Sequence, residues 1–177
     1  IAVRLLRTHK YVKMDMPRHA LEFTGINQDA KVFALEKAYI KDYHLVNSLD
    51  DNLEKGNLNG HVSIKNELNK KISGKLTIEI HSRQTGKKAG SESKPVSIDP
   101  DTDSKVEIDL NIKKPELWND EFPNLYTVEL AFCADHQADQ KIIYNTGFRK
   151  FELKNQRPLL NNRFVKFRGV NHLTFHP

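Results

Sequence analysis

The sequence predicts an all-β protein whose body is one antiparallel β-sandwich of about seven strands, flanked by partial strands. Three observations predict it. Apolar and polar residues alternate at period two, most cleanly at Leu76, Ile78 and Ile80 against Lys75, Thr77 and Glu79, and again at Val106, Ile108, Leu110 and Ile112. Turn-forming clusters separate these runs every ten to fifteen residues. No stretch carries an apolar stripe at helical period.

The strands are expected in this order. Ala38 to Val46 is the first, and Asn47 to Asn59, rich in Asp and Asn, is expected to be a loop. His61 to Lys65 begins a period-two run, Asn69 to Gly74 turns, and Lys75 to His81 alternates. Gln84 to Gly90 turns again. Ser91 to Ile98 contains Pro95, which lacks the N–H a central strand must donate, so this strand belongs on an edge. Asp99-Pro100-Asp101 turns into Lys105 to Ile112. Leu125 to Ala134 and Lys141 to Leu153 complete the set, the latter interrupted at Asn145 to Gly147. Between them Lys114 to Tyr126 is a non-strand connection. Pro115 and Pro123 fix its backbone, and Leu117 and Trp118 offer large apolar surfaces to plug the end of the sandwich. Trp118 as a platform for a sugar ring is the alternative reading.

Residues 1 to about 40 do not read as a complete domain. Ile1 to Leu6 and Asp29 to Leu35 are expected strands, too few to close a sheet. After the sandwich, a run from Phe148 to Leu153 leads through a turn to a second run, Arg163 to Phe167. The expected organisation is therefore 1–37 as the tail of an upstream β-domain, 38–153 as the sandwich and 154–177 as the entry to something further. Ile1 stands where a start Met would, which predicts a chain drawn from inside a longer product.

Composition narrows the function classes. The 177 residues carry a formal charge of +5, but Lys and Arg are scattered among apolar positions rather than clustered, which argues against a nucleic-acid surface. No apolar run approaches the ~20 residues of a membrane helix, and no lipidation or secretory signal is recognisable. The single cysteine, Cys133, excludes an internal disulfide, fits a reducing compartment and is expected to be a packed thiol rather than a nucleophile.

No constellation for chemistry stands out. The eight histidines are dispersed, and His172 and His176 lack the helix an i, i+4 metal pair needs. Phosphate loops, dinucleotide fingerprints and nucleophile elbows are missing from the sequence. Its acidic residues fall on wet strand faces, such as Glu79 and Glu107, or in loops.

Three segments carry a resemblance. They are Gly147-Phe148-Arg149, Pro115 to Tyr126 with Leu117-Trp118 and Pro123-Asn124-Leu125-Tyr126, and Leu159-Leu160-Asn161 followed by Arg168-Gly169-Val170-Asn171 and His176-Pro177. Together they resemble glycoside hydrolase family two, and within it the bacterial β-galactosidases, where an immunoglobulin-like domain hands over to a catalytic barrel. Ala2 to Arg7, Asp15-Met16, Gly25-Ile26 and Ile40 to Leu45 extend the likeness to the end of a sugar-binding jelly roll. His172 to Phe175 departs from the family, and Leu173 stands where a substrate-facing His is found.

The resemblance implies a hydrolase of terminal β-galactosides, with a β-glucuronidase or β-mannosidase as the related parent. It implies that the catalytic glutamates lie outside this chain, so that the chain is architectural and inactive alone. Asp15, Asn171 and His176 are the implied substrate-binding positions, and Asp15 is also the candidate ligand for a monovalent ion. Trp118, Pro123, Tyr126, Gly147, Phe148, Arg149, Arg168 and Gly169 are the implied structural positions. No cofactor is expected in this chain, while the parent family uses magnesium and sodium. The expected partner is the rest of the parent polypeptide, in a cytoplasmic, bacterial-type and homo-oligomeric enzyme, with no nucleic acid or membrane. The rival readings are a stand-alone immunoglobulin-like carbohydrate-binding or adhesion module and a decayed, inactive gene product.

Overall fold

The computed structural model describes residues 29–32, 34–135 and 137–171. Leu35–Lys166 forms one compact unit, and the residues outside it are assigned to a second. The first unit is all-β. Its strands are β1 (Ala38–Leu49), β2 (Lys55–Asn66), β3 (Ile72–Ser82), β4 (Lys88–Ile98), β5 (Asp103–Lys113), β6 (Tyr126–Ala134), β7 (Gln140–Thr146), β8 (Phe151–Lys154), β9 (Arg157–Leu160) and β10 (Arg163–Phe164).

The first seven form two antiparallel sheets, β1-β2-β5 and β4-β3-β6-β7. The fourth strand pairs with β3, whereas in a constant-type immunoglobulin domain it would pair with the fifth. Alternation builds the core. Leu58, Val62 and Ile64 from β2 and Ile108, Leu110 and Ile112 from β5 meet Leu76, Ile78 and Ile80 from β3 and Val128, Leu130 and Phe132 from β6, all buried. Burying each such side chain contributes roughly 1.5–3 kcal/mol. β4 with Pro95 lies on a sheet edge, as the missing N–H requires.

Side chains cover some outward groups of the edge strands β1 and β5. On β1 the N–H of Ala38 donates to Gln137 Oε1, that of Ile40 to Gln140 Oε1 and that of Tyr43 to Asp42 Oδ1. Across the molecule, Lys94 Nζ donates to the Glu107 carbonyl, and the Asp109 N–H donates to Glu92 Oε2 at 3.2 Å. Such coverage makes these two edges poorer templates for a foreign strand. A buried amide closes the far turn. Asn66 Nδ2 donates to the carbonyls of Lys70, Ile98 and Asp99, and its Oδ1 accepts from the Leu68 N–H.

Several sequence expectations need correction. Asn47 to Asn59 is not one loop, because β1 continues to Leu49 and β2 begins at Lys55. Gly56 and Leu58 point inward while Asn57 and Asn59 take the wet face, so an Asn-rich run still satisfies strand alternation. The turn is held by Asp50, whose Oδ1 accepts from the Glu54 and Lys55 N–H groups. Residues 29–32 and 34–35 carry no strand, and Val32, 88% exposed, buries no apolar face to support one. Phe151 to Leu153 leaves the sandwich and pairs with Arg157–Leu160 in the separate sheet β10-β9-β8. The run from Arg163 is a strand only to Phe164. Cys133 lies half-buried on the outer face of β6, in phase with Glu129 and Ala131, instead of in the core. The Asp139 carboxylate beside it, together with partial burial, pushes its thiol up, which opposes thiolate formation.

Candidate functional site at the Trp118 end of the sandwich

Lys114 to Leu125 crosses from one sheet to the other and gathers most of the structural positions expected from the sequence. The Trp118 N–H donates to the Phe148 carbonyl, and the Lys114 N–H to that of Glu54. Leu117 bridges to Phe148 and Trp118 to Pro123. The Asn119 side chain accepts from the Glu121 and Phe122 N–H groups, and Asn124 Nδ2 donates to the Leu117 carbonyl, so the segment is a closed turn.

Tyr126 opens β6 and is buried. Its hydroxyl accepts from the Glu116 N–H at 2.7 Å, and its ring meets Phe148 edge-on with centroids 5.3 Å apart. A tyrosine that ties the start of the sixth strand to backbone just upstream is the corner device of immunoglobulin-like sandwiches. Burial pushes the Tyr126 phenol above its ordinary value, partly offset by the donated N–H. Phe148 is fully buried against Gly56, where a Cβ would fall 3.0 Å from the ring. Gly147 lies as close to Trp118, and a Cβ there would fall 3.0 Å from the Trp118 Cβ. The Arg149 guanidinium stands 4.7 Å from the Trp118 ring centroid, in cation–π range. A sugar stacking on that face would have to displace Arg149.

Asn161 joins the β8–β10 hairpin to this end. It is buried, with φ of 50° in the left-handed region that Asn tolerates better than most residues. Its Oδ1 accepts from the Lys150 N–H, its own N–H donates to the Lys150 carbonyl, and its Nδ2 donates to the Trp118 carbonyl at 2.9 Å. Lys150 Nζ meets Asp51 at 2.7 Å and Glu152 at 3.3 Å, and Asn162 Nδ2 donates to the Asp51 carbonyl. Asp51 holds the Lys150 ammonium above its ordinary range, against a smaller opposing effect of burial. The hairpin leaves Leu153 74% and Phe164 63% exposed, and Phe122 on the crossing segment is 63% exposed.

Trp118, Pro123, Tyr126, Gly147, Phe148 and Arg149 are thus brought together. Arg168, Gly169 and Asn171 are exposed and outside any strand, and a Cβ on Gly169 would meet open space. Asp15, His172, Leu173 and His176 lie outside the described residues. The residues the sequence reading passed over are Asn161 as a hub, Asn66 and the Tyr126 corner bond. The only sequence signal at Asn161 was the Asn161-Asn162 pair, residues that tolerate the left-handed region a tight turn needs.

One carboxylate pair calls for comparison with a hydrolytic dyad. Glu79 and Glu129 are direct partners across β3 and β6. Glycoside hydrolysis sets two carboxyls about 5 to 9.5 Å apart, one of them with a raised pKa. Here Lys88 and His81 hold Glu79 below the usual range, and Glu129 pairs with Lys141 at 2.7 Å. Glu79 is therefore not the raised-pKa acid such a dyad needs. Among the described residues no three His, Cys, Asp or Glu side chains converge to hold a metal ion.

The comparisons with known proteins agree with the fold. The family model described as "Glycosyl hydrolases family 2" matches residues 38–149. A β-galactosidase of Oenococcus oeni is 30% identical over 99% of this chain and 17% of its own length. One of Halalkalibacterium halodurans is 24% identical over 87% of this chain and 14% of its own. The crystal structure of a Parabacteroides merdae β-glucuronidase superposes with a TM-score of 0.61 at 28% identity, over 75% of this chain and 16% of that one. The chain therefore spans about one-sixth of the length of these relatives. No helix among the described residues is long and apolar enough to cross a membrane. With a family match over most of its length on a seven-stranded sandwich, the chain belongs to glycosyl hydrolases family 2.

Proposed function

We propose that the chain is the structural sandwich of a β-galactosidase-like enzyme that hydrolyses terminal β-galactosides. Its task is to space a sugar-binding domain from a catalytic barrel and to set the direction of the lead-in from Arg163 to Val170. The observation that carries this reading is the 30% identity to the Oenococcus oeni β-galactosidase, which runs over 99% of the chain and so through both flanks of the sandwich. The exposed Leu153, Phe164 and Phe122 support it, since apolar side chains on a hairpin and its neighbouring turn suit contact with the rest of a parent polypeptide. Glu79 and Glu129, each held by a lysine, support an inert segment whose glutamate dyad lies elsewhere in the parent. Asp15, Asn171 and His176 as sugar contacts, magnesium and sodium in the parent, its homo-oligomeric state and a cytoplasmic location belong to the same proposal. A β-glucuronidase parent is the second reading, favoured by the Parabacteroides merdae likeness.

The test is to express the longest reading frame around this segment and assay it with nitrophenyl β-galactoside and β-glucuronide, beside the 177-residue chain. The expected result is galactoside hydrolysis by the long product and none by the chain. Preference for the glucuronide would select the second reading. Hydrolysis by the chain itself would overturn the architectural one.

A further inference from the structure

The outer face of β1-β2-β5 brings together two histidines that the sequence separates. His44 on β1 and His61 on β2 are direct cross-strand partners, and Glu107 on β5 is the direct partner of His61. The two rings stand 6.0 Å apart between centroids and are tilted by 38°. His44 is exposed and His61 half-buried, so both are open to solvent and neither belongs to the core. Two imidazoles that share one ion at nitrogen–metal distances of about 2.0–2.1 Å have ring centroids roughly 4.5–5.5 Å apart, so these two rings must approach by about 1 Å. Both side chains lie at the surface, where a change of rotamer meets no packed core.

We propose that His44 and His61 form a transition-metal site on this face, with water completing the coordination. The ion class follows from the ligands. Imidazole suits Cu2+, Ni2+ and Zn2+, with Cu2+ the strongest binder of the series, and it does not suit magnesium or sodium. Among the described residues no third protein ligand converges on the pair, and a two-histidine site of this kind is open and exchangeable rather than a closed structural centre. The surrounding charges are mixed. Glu107, Asp109 and Asp42 favour a cation, while Lys105 and Lys65 on the same face oppose it. The consequence for the fold is specific. β1 is an edge strand of its sheet, and an ion held by residues 44 and 61 would cross-link it to β2 and stabilise the folded state by linkage.

The chain has eight histidines, so the experiment must resolve the site. Substoichiometric Cu2+ is added to the isotope-labelled 177-residue chain, and paramagnetic broadening of backbone amide signals is followed. The expected result is loss first of the signals around residues 43–45 and 60–62. Either His44→Ala or His61→Ala should abolish that loss, with unchanged circular dichroism, since both side chains lie on the wet face. Zn2+ should raise the melting midpoint of the parent chain and not that of the two variants. Broadening elsewhere only, or broadening around residue 61 that survives His44→Ala, would overturn the proposal.

Discussion

The interior of the sandwich and its Trp118 end are specified in different ways. In the interior, neighbouring strands repeat the same instruction. Leu76, Ile78 and Ile80 face Val128, Leu130 and Phe132 because both strands alternate, and a fault at one position leaves the pattern intact. At the Trp118 end, single atoms carry the structure. One amide of Asn161 takes the Lys150 N–H and the Trp118 carbonyl, one phenol takes the Glu116 N–H, and Gly147 lets the backbone approach Trp118. A change in the interior should therefore lower stability as a whole. Loss of the Asn161 bonds at the end should release the hairpin while the sandwich survives, whereas Phe148 and Tyr126 belong to the core as well.

Phe148→Ala is expected to break the comparison most severely, since its ring is fully buried and meets Tyr126 and Gly56. Removing it should cost about 3–5 kcal/mol of global stability in urea denaturation. Next comes Tyr144, stacked on Tyr43 with centroids 5.2 Å apart and with no hydrogen-bond partner found for its buried hydroxyl. Burial pushes its phenol up to about 12, from an unfolded value of about 10. The folded state thus holds the proton more tightly. This contribution is fully present below pH ~10 and is lost as pH rises toward ~12, roughly 2–3 kcal/mol in all. Tyr144→Phe should remove that part of the alkaline loss. At neutral pH it should match or exceed the parent, because an unpaired buried hydroxyl costs about 1–3 kcal/mol.

Asn161→Ala sharpens the contrast. It leaves the Lys150 N–H and the Trp118 carbonyl without their partner, a loss of about 1–3 kcal/mol confined to the hairpin. Limited proteolysis between residues 154 and 162 should accelerate while the 38–149 segment stays resistant. The smallest effect is expected for Tyr126→Phe, which keeps the ring and deletes the corner bond, about 0.5–1.5 kcal/mol by the same denaturation measurement.

This contrast also explains what could be read from the sequence. Period-two runs such as Lys75 to His81 announce a strand because burial acts on every second residue. The edge position of Ser91 to Ile98 was legible through Pro95, whose chemistry excludes a central place. Asn57 and Asn59 misled because turn-forming residue types also suit a wet strand face. The motif residues from Trp118 to Arg149 were recognisable as a set, but the bonds of Asn161 depend on which carbonyl the fold brings within reach. The pairing of His44 with His61 depends on register across the β1–β2 hairpin, including the shift between Ile40 and Asp42, which local pattern does not contain.

Amide hydrogen exchange on the parent chain and on Asn161→Ala is the most direct test of a locally pinned hairpin on an independently stable sandwich. The expected result is faster exchange at Lys150 and through β8 and β9, with Ile78, Leu130 and their strand neighbours unchanged. Equal acceleration in β3 and β6 would contradict the account, because the hairpin would then be part of the sandwich's own cooperative unit. Unchanged exchange at Lys150 would contradict it as well, because Asn161 would not be what holds the hairpin.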